Sequence, residues 1–146
     1  AMVAQFMIPM SHPLYSVTGV FNAVFVHGNM LGDSMYYGRG AGKLPTASAV
    51  VSDVVDCARH MGKVIMCFWD DEDVKQTNVD NIRHRFFVRT KAGLEKEAVD
   101  IFGLIRVVVA DVKDEYAFIT EEMSEKEFNE KAERLGCILN RIRLEG

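Results

Sequence analysis

The chain has 146 residues, 49% of them hydrophobic, with a net charge of -4 and a pI near 5.6. That is enough apolar material for one core or one and a half, and an acidic balance that argues against nucleic acid or an anionic membrane as the main partner. Cys57, Cys67 and Cys137 are odd in number and form no CxxC, which suits free thiols in a reducing cytoplasm better than disulfides or a zinc site.

No apolar run reaches the roughly 18 residues of a membrane span, and the opening AMVAQFMIPM lacks the basic stretch of a secretory signal. Charge is unevenly spread. Residues 1–60 carry only Asp33, Arg39, Lys43, Asp53, Asp56 and Arg59, whereas the remaining 86 residues carry 32 charged side chains. A free-standing segment of that length should carry about 15, a quarter of its positions. The first part therefore reads as material from inside a larger body, covered by other polypeptide or by a second copy. Packing on the C-terminal half is the simpler alternative.

Val20–Val26 is apolar and β-rich, interrupted by Asn22, and predicts a strand. Gly28-Asn29 and Gly32-Asp33 signal turns, and Ser34–Tyr37 predicts a second, short strand. A helix should begin at Pro45 or Thr46, with Thr46 as its cap, and present Ala49, Val50, Val54, Val55, Ala58 and Met61 on one face until Gly62. Lys63–Trp69 predicts a strand, and DDEDVKQTNVDN (70–81) a polar connector.

From Ile82 the pattern is regular. Strands are expected at Arg85–Thr90, at Leu104–Asp111 (buried), at Tyr116–Thr120 after a turn at Lys113-Asp114-Glu115, and at Cys137–Leu144. A helix over Lys91–Phe102 should face Leu94, Ala98, Ile101 and Phe102 inward and stop at Gly103. Ser124 with Glu127 forms a capping-box pattern for a second helix, which buries Phe128, Ala132 and Leu135 and stops at Gly136. The order βαββαβ in about 63 residues is the ferredoxin-like split βαβ plan, so the chain as a whole is α+β.

The loop Gly38-Arg39-Gly40-Ala41-Gly42-Lys43 is the strongest chemical feature. It fails the Walker pattern, with three residues between Gly38 and Gly42 and Leu44 where a metal-holding hydroxyl belongs. Its GxGxG spacing also fails the dinucleotide fingerprint. Glycines of this kind serve either close approach of backbone to a ligand or a tight turn, and both readings stand on spacing alone. His12, His27, His60 and His84 are scattered without a metal-ligand partner. Ser11 beside His12 is poor geometry for a nucleophile and its base. Asp70, Asp71, Glu72 and Asp73 lack the alternating spacing of a calcium loop. Trp69 reads as packing, and no metal is expected.

The segments HPLYSVTGVFNAVFVHG (12–28) and YYGRGAGKLPTASAVVSDVVD (36–56) resemble the C-terminal part of homoserine dehydrogenases. The GxGAGxxPTAxxVxxD run, Gly38 to Asp53, is highly specific to that family. The segment 84–146 resembles the ACT domain that many bacterial members carry. The resemblance implies three parts: 1–63, a β-hairpin and helix from the end of the catalytic domain; 64–83, a linker; and 84–146, a βαββαβ ACT domain.

What the resemblance implies for function follows from the family. The parent enzyme interconverts aspartate semialdehyde and homoserine with NAD(P)H, in threonine and methionine synthesis. The Gly40-Ala41-Gly42 backbone would contact the cofactor, with Gly42 nearest the nicotinamide nucleotide, and the helix from Pro45 would pack on the dinucleotide-binding domain. The Rossmann fingerprint, catalytic lysine and substrate carboxylates are expected before residue 1. No catalytic residue is therefore assigned within 1–146, and the chain alone is expected to be an inactive cytoplasmic fragment that binds no cofactor. In the ACT-like part, Gly93 matches the family's glycine, Thr90 sits near its acidic position and Ala92 replaces its proline. Thr90, Gly93 and Leu94 are the effector candidates, for an amino acid such as threonine. A homodimer or higher homo-oligomer is expected, with no nucleic acid and no membrane. The alternative is a free-standing ACT-like amino-acid-binding regulator.

Overall fold

The computed structural model describes residues 2–66, 68, 71, 75–109 and 112–145. Along the chain run β1 (Phe6–Met7), β2 (Phe21–Gly28), β3 (Gly32–Arg39), α1 (Lys43–Arg59), β4 (Arg83–Lys91), α2 (Glu95–Phe102), β5 (Ile105–Val108), β6 (Glu115–Thr120), β7 (Met123–Ser124), α3 (Glu125–Leu135) and β8 (Asn140–Leu144). They fall into two compact units, Met10–Val74 and Ala1–Pro9 with Lys75–Gly146.

In the larger unit the sheet order is β1-β8-β4-β6-β5, with β7 pairing to the start of β4. All pairs are antiparallel except β1 with β8, where Phe6 faces Arg143 and Met7 faces Leu144. β4 lies at the centre because its alternate residues Phe86, Val88 and Thr90 are fully buried, the period-two signature of a strand with one face on a core. The core joins Phe86, Val88, Phe118 and Met123 to Ala98 and Phe102 of α2 and Phe128 and Leu135 of α3. Phe86 stacks on Phe128 at 4.1 Å, and Phe102 meets Phe118 at 5.3 Å. Offset aromatic pairs of this kind add about 0.5–1.5 kcal/mol to the burial of their area.

Among the described residues of this unit one charged side chain is buried. Glu125 is 4% exposed. Its carboxylate accepts two hydrogen bonds from Arg143, and Arg141 stands 3.9 Å away. The arginines lie over Phe86 and Phe128, so planar guanidinium groups cover the aromatic core and neutralise the acid together.

Several expected elements differ. α2 begins at Glu95 rather than Lys91, because β4 continues to Lys91 opposite Glu115. The expected buried strand at Leu104–Asp111 is a short edge strand, β5, bonded among the described residues only to β6. Leu104, Val107 and Val109 are therefore exposed, and Ala110 and Asp111 lie outside the described residues. Between Lys63 and Met66, and at Phe68, no strand forms. Cys67, Trp69, Asp70, Glu72 and Asp73, on which other expectations fell, lie outside the described residues.

In the unit Met10–Val74, β2 and β3 form a hairpin in register from Phe21↔Arg39 to Gly28↔Gly32. Phe21 stacks on Tyr37 at 4.9 Å, with the Arg39 guanidinium 5.3 Å from its ring. His12 accepts the Leu14 amide at 3.1 Å, which makes it the cap of a short 3-10 turn, Pro13–Ser16. α1 has no buried residue: Val50, Val51, Val54 and Val55 are all exposed. Among the described residues no helix is long and apolar enough to cross a membrane.

The capping box of α3 forms as its sequence pattern requires. The Ser124 hydroxyl accepts the Glu127 amide at 3.1 Å, and the Glu127 carboxylate accepts the Ser124 amide at 2.8 Å. The Ser124 amide, followed by its hydroxyl, holds the Glu127 carboxyl below the usual carboxylate range. A lowered folded-state value means that this contribution is complete above the ordinary glutamate range and is lost as pH falls through the lower value. Ser124→Ala is expected to cost about 1 kcal/mol in urea unfolding at neutral pH, and to lessen the acid sensitivity seen when the titration is repeated at falling pH.

Candidate functional site

The glycine loop joins the end of β3 to the start of α1, and its three glycines sit in different surroundings. Gly38 is the strand residue opposite Asn22, with open space where a side chain would lie. Gly40 lies against the Asn22 side chain. Gly42 is the N-cap of α1 at φ 122° and ψ 147°, a backbone conformation essentially restricted to glycine.

The helix starts at Lys43, earlier than expected, and Thr46 is not its cap. The Thr46 hydroxyl donates back to the Gly42 carbonyl at 2.9 Å, alongside its own amide at 3.1 Å. No N-cap side chain accepts a first-turn amide. Pro45, which has no N–H, packs its ring carbons against the position a Gly42 Cβ would take, the nearest at 3.3 Å. Gly40, Ala41 and Gly42 are exposed. Beside them a cavity of about 290 Å³ is lined by Asn22, Ala23, Val24, Tyr36, Tyr37, Gly38, Arg39 and Gly40. The expected cofactor residues are thus adjacent, open and free of side-chain bulk. This geometry leaves bare backbone within reach of a ligand, with Arg39 and the Asn22 amide among the polar groups that line the cavity.

The effector candidates of the other unit have different environments. Thr90 is fully buried, and its hydroxyl donates to the Cys137 carbonyl. Gly93 has φ 92°, and its amide donates to the Glu95 carboxylate at 3.1 Å. Leu94 precedes α2 and packs against the core. The three share one turn but do not present three side chains to one surface. That Gly93 amide, followed by Glu95's own amide, lowers the Glu95 carboxyl from its usual range. Burial, aided by Glu95, raises the Tyr116 hydroxyl. Glu95, Lys96, Val99, Asp100 and Tyr116 line a groove of about 350 Å³.

Among the described residues no group of three His, Cys, Asp or Glu side chains could hold a metal ion. Cys57 is exposed and Cys137 half-buried, both as free thiols. Sequence reasoning did not assign Asn22 or Arg39 to the site. The signal for Asn22 was its polarity within an apolar strand, and its partner became visible only through the hairpin register.

Comparison with known proteins places this geometry. The family model for homoserine dehydrogenase matches residues 1–55. A homoserine dehydrogenase of Mycobacterium bovis is 32% identical over 137 residues, covering 94% of this chain and 30% of its own length. That of Synechocystis is 62% identical over 50 residues, which are 34% of this chain and 12% of its own. The solved homoserine dehydrogenase from Thiobacillus denitrificans superposes with a TM-score of 0.72 at 30% identity, over 94% of this chain and 37% of that one. That of Staphylococcus aureus gives 0.68 at 28% identity, over 97% and 36%.

The chain belongs to the homoserine dehydrogenase family. It spans less than a third of the length of the curated relatives it matches. The family model's match ends at residue 55, within α1, and so takes in the hairpin, the glycine loop and most of the helix that follows.

The glycines of this loop differ in what they tolerate. Gly42→Ala is expected to destabilise the unit Met10–Val74 by about 1–3 kcal/mol, because an alanine at this φ is strained. Gly38→Ala is expected to fall within about 0.5 kcal/mol of the parent. Urea unfolding followed by circular dichroism checks both; equal effects would mean that φ at Gly42 is not the constraint.

Proposed function

We propose that this chain is the C-terminal part of a cytoplasmic homoserine dehydrogenase, an oxidoreductase that interconverts aspartate semialdehyde and homoserine with NAD(P)H in threonine and methionine biosynthesis. The observation that carries the reading is the Gly40-Ala41-Gly42 loop, open on one side and set at the head of a 17-residue helix with no buried residue. A loop that offers bare backbone to a ligand, followed by a helix that lacks its packing partner, fits a cofactor site completed by a dinucleotide-binding domain. The valine row of α1 is the surface that this domain covers. Within 1–146 lies neither a Rossmann fingerprint nor a catalytic lysine matching the family pattern, and the chain alone is proposed to be inactive.

In this reading 1–63 belongs to the catalytic domain, 64–83 is a linker and 84–146 is a ferredoxin-like ACT domain. Its support is the strand order β8-β4-β6-β5 with α2 and α3 contributing to one core. The segment from β1 adds a parallel partner to β8. The ACT part is proposed to bring two copies together. Among the described residues β5 is an open edge, and its Val107 and the flanking Leu104 and Val109 are exposed; an unpaired strand edge favours pairing with another chain. An amino-acid effector such as threonine is proposed to act at Thr90–Leu94. An effector that took the Gly93 amide would have to displace the Glu95 carboxylate from it.

The test is NADPH oxidation with aspartate semialdehyde. The chain alone is expected to give none. Joined to the dinucleotide-binding and substrate domains of its reading frame, it is expected to turn over, with activity lost again when the Gly40–Gly42 segment is replaced by alanines. Turnover by the chain alone, or unchanged turnover after that replacement, would contradict the reading.

A further inference from the structure

We propose that Asn22 is a positioning residue for the nucleotide loop: its carboxamide occupies the space of a Gly40 side chain and clamps the loop from the hairpin side. This inference rests on the dehydrogenase reading for its functional meaning, but its geometry stands apart from it.

Three observations carry it. A Cβ added at Gly40 would overlap Nδ2 and Cγ of Asn22, with the Asn22 Cβ at 3.3 Å. Gly40 is not in the left-handed backbone region that favours glycine, so backbone conformation does not account for glycine here. Asn22 itself faces Gly38 across the hairpin, in a strand whose same-face neighbours Val24 and Val26 are apolar. That face of the strand is exposed, Asn22 included, so sheet packing leaves its carboxamide free to lie against the loop that folds over it.

The opposite side of the loop is held as well. Thr46 donates twice to the Gly42 carbonyl, and Pro45 fills the space beside Gly42. The Gly40-Ala41-Gly42 backbone is therefore gripped between a short, two-torsion side chain on β2 and the first turn of α1. Asn suits the first of these roles because its planar amide lies flat against a backbone that carries no Cβ. Position matters for the chemistry proposed, since a displacement of about 1 Å in a reacting group can cost up to about 100-fold in rate.

The test uses Gly40→Ala alone and combined with Asn22→Ala. In amide NMR spectra of this chain, Gly40→Ala is expected to displace the Gly42 and Thr46 resonances while leaving those near the Gly28–Gly32 hairpin tip in place, which certifies the fold. The double variant is expected to return Gly42 and Thr46 towards their parent positions. In the chain joined to its dinucleotide-binding domain, Gly40→Ala is expected to raise KM for NADPH by roughly tenfold, within the range such misplacement spans. KM for aspartate semialdehyde should not change, and the double variant should recover the NADPH value. Unmoved Gly42 and Thr46 resonances in Gly40→Ala, or a double variant no closer to the parent than the single one, would overturn the clamp. The spectra decide the clamp by themselves, so a joined parent protein that fails to turn over counts against the dehydrogenase reading alone.

Discussion

Val50, Val51, Val54 and Val55 of α1 set the terms for the rest of the molecule. Each is between 42% and 62% exposed, on a helix that buries none of its residues. Side chains of this kind contribute about 1.5–3 kcal/mol each when fully buried, and helices draw most of their stability from packing an apolar face. A β-branched row is also a poor helix former by itself. A helix of this composition implies a covering surface, and the proposed function follows from asking what that surface is. Under the proposed function, that surface is polypeptide of the same enzyme, bearing the dinucleotide site.

The other unit needs no such cover for its core. Phe86, Val88, Phe118 and Phe128 are essentially fully buried, and the buried Glu125 is neutralised by Arg143 and Arg141, which also roof the aromatic cluster. Its unsatisfied feature is an edge rather than a face. β1 shields one side of the sheet, although only over two residues, and among the described residues no strand pairs the outer edge of β5. Two kinds of incompleteness thus occur in one chain. An apolar helix face calls for a packed domain, whereas an open strand edge with exposed valines calls for another strand.

The features legible in the sequence were the local ones. Ser124 and Glu127 are three residues apart and satisfy each other's amides without help from elsewhere, and Gly103 and Gly136 end their helices at positive φ. The turn between β5 and β6 was visible in Lys113-Asp114-Glu115, with Asp114 in the left-handed region. What failed depended on distant partners. The apolarity of Leu104–Val109 reads as burial, yet among the described residues β5 is an edge strand with only β6 beside it. The pairing of Phe6–Met7 with Arg143–Leu144 joins the two ends of the chain, and no periodicity announces it. The start of α2 was placed four residues early because Lys91 belongs to β4 through its pairing with Glu115. In the candidate site the glycine loop stood out by composition, but the reason for each glycine did not: Gly42 answers to its own φ and Gly40 to a side chain 18 positions earlier.

The measurement that tests the central claim most directly is hydrogen exchange of the α1 amides, in this chain alone and in the chain joined to its dinucleotide-binding domain. The account predicts fast exchange across Val50–Val55 in the chain alone and strong protection once the domain is present. Slow exchange in the chain alone, or rates that the domain leaves unchanged, would show that the valine row is not a surface awaiting its cover.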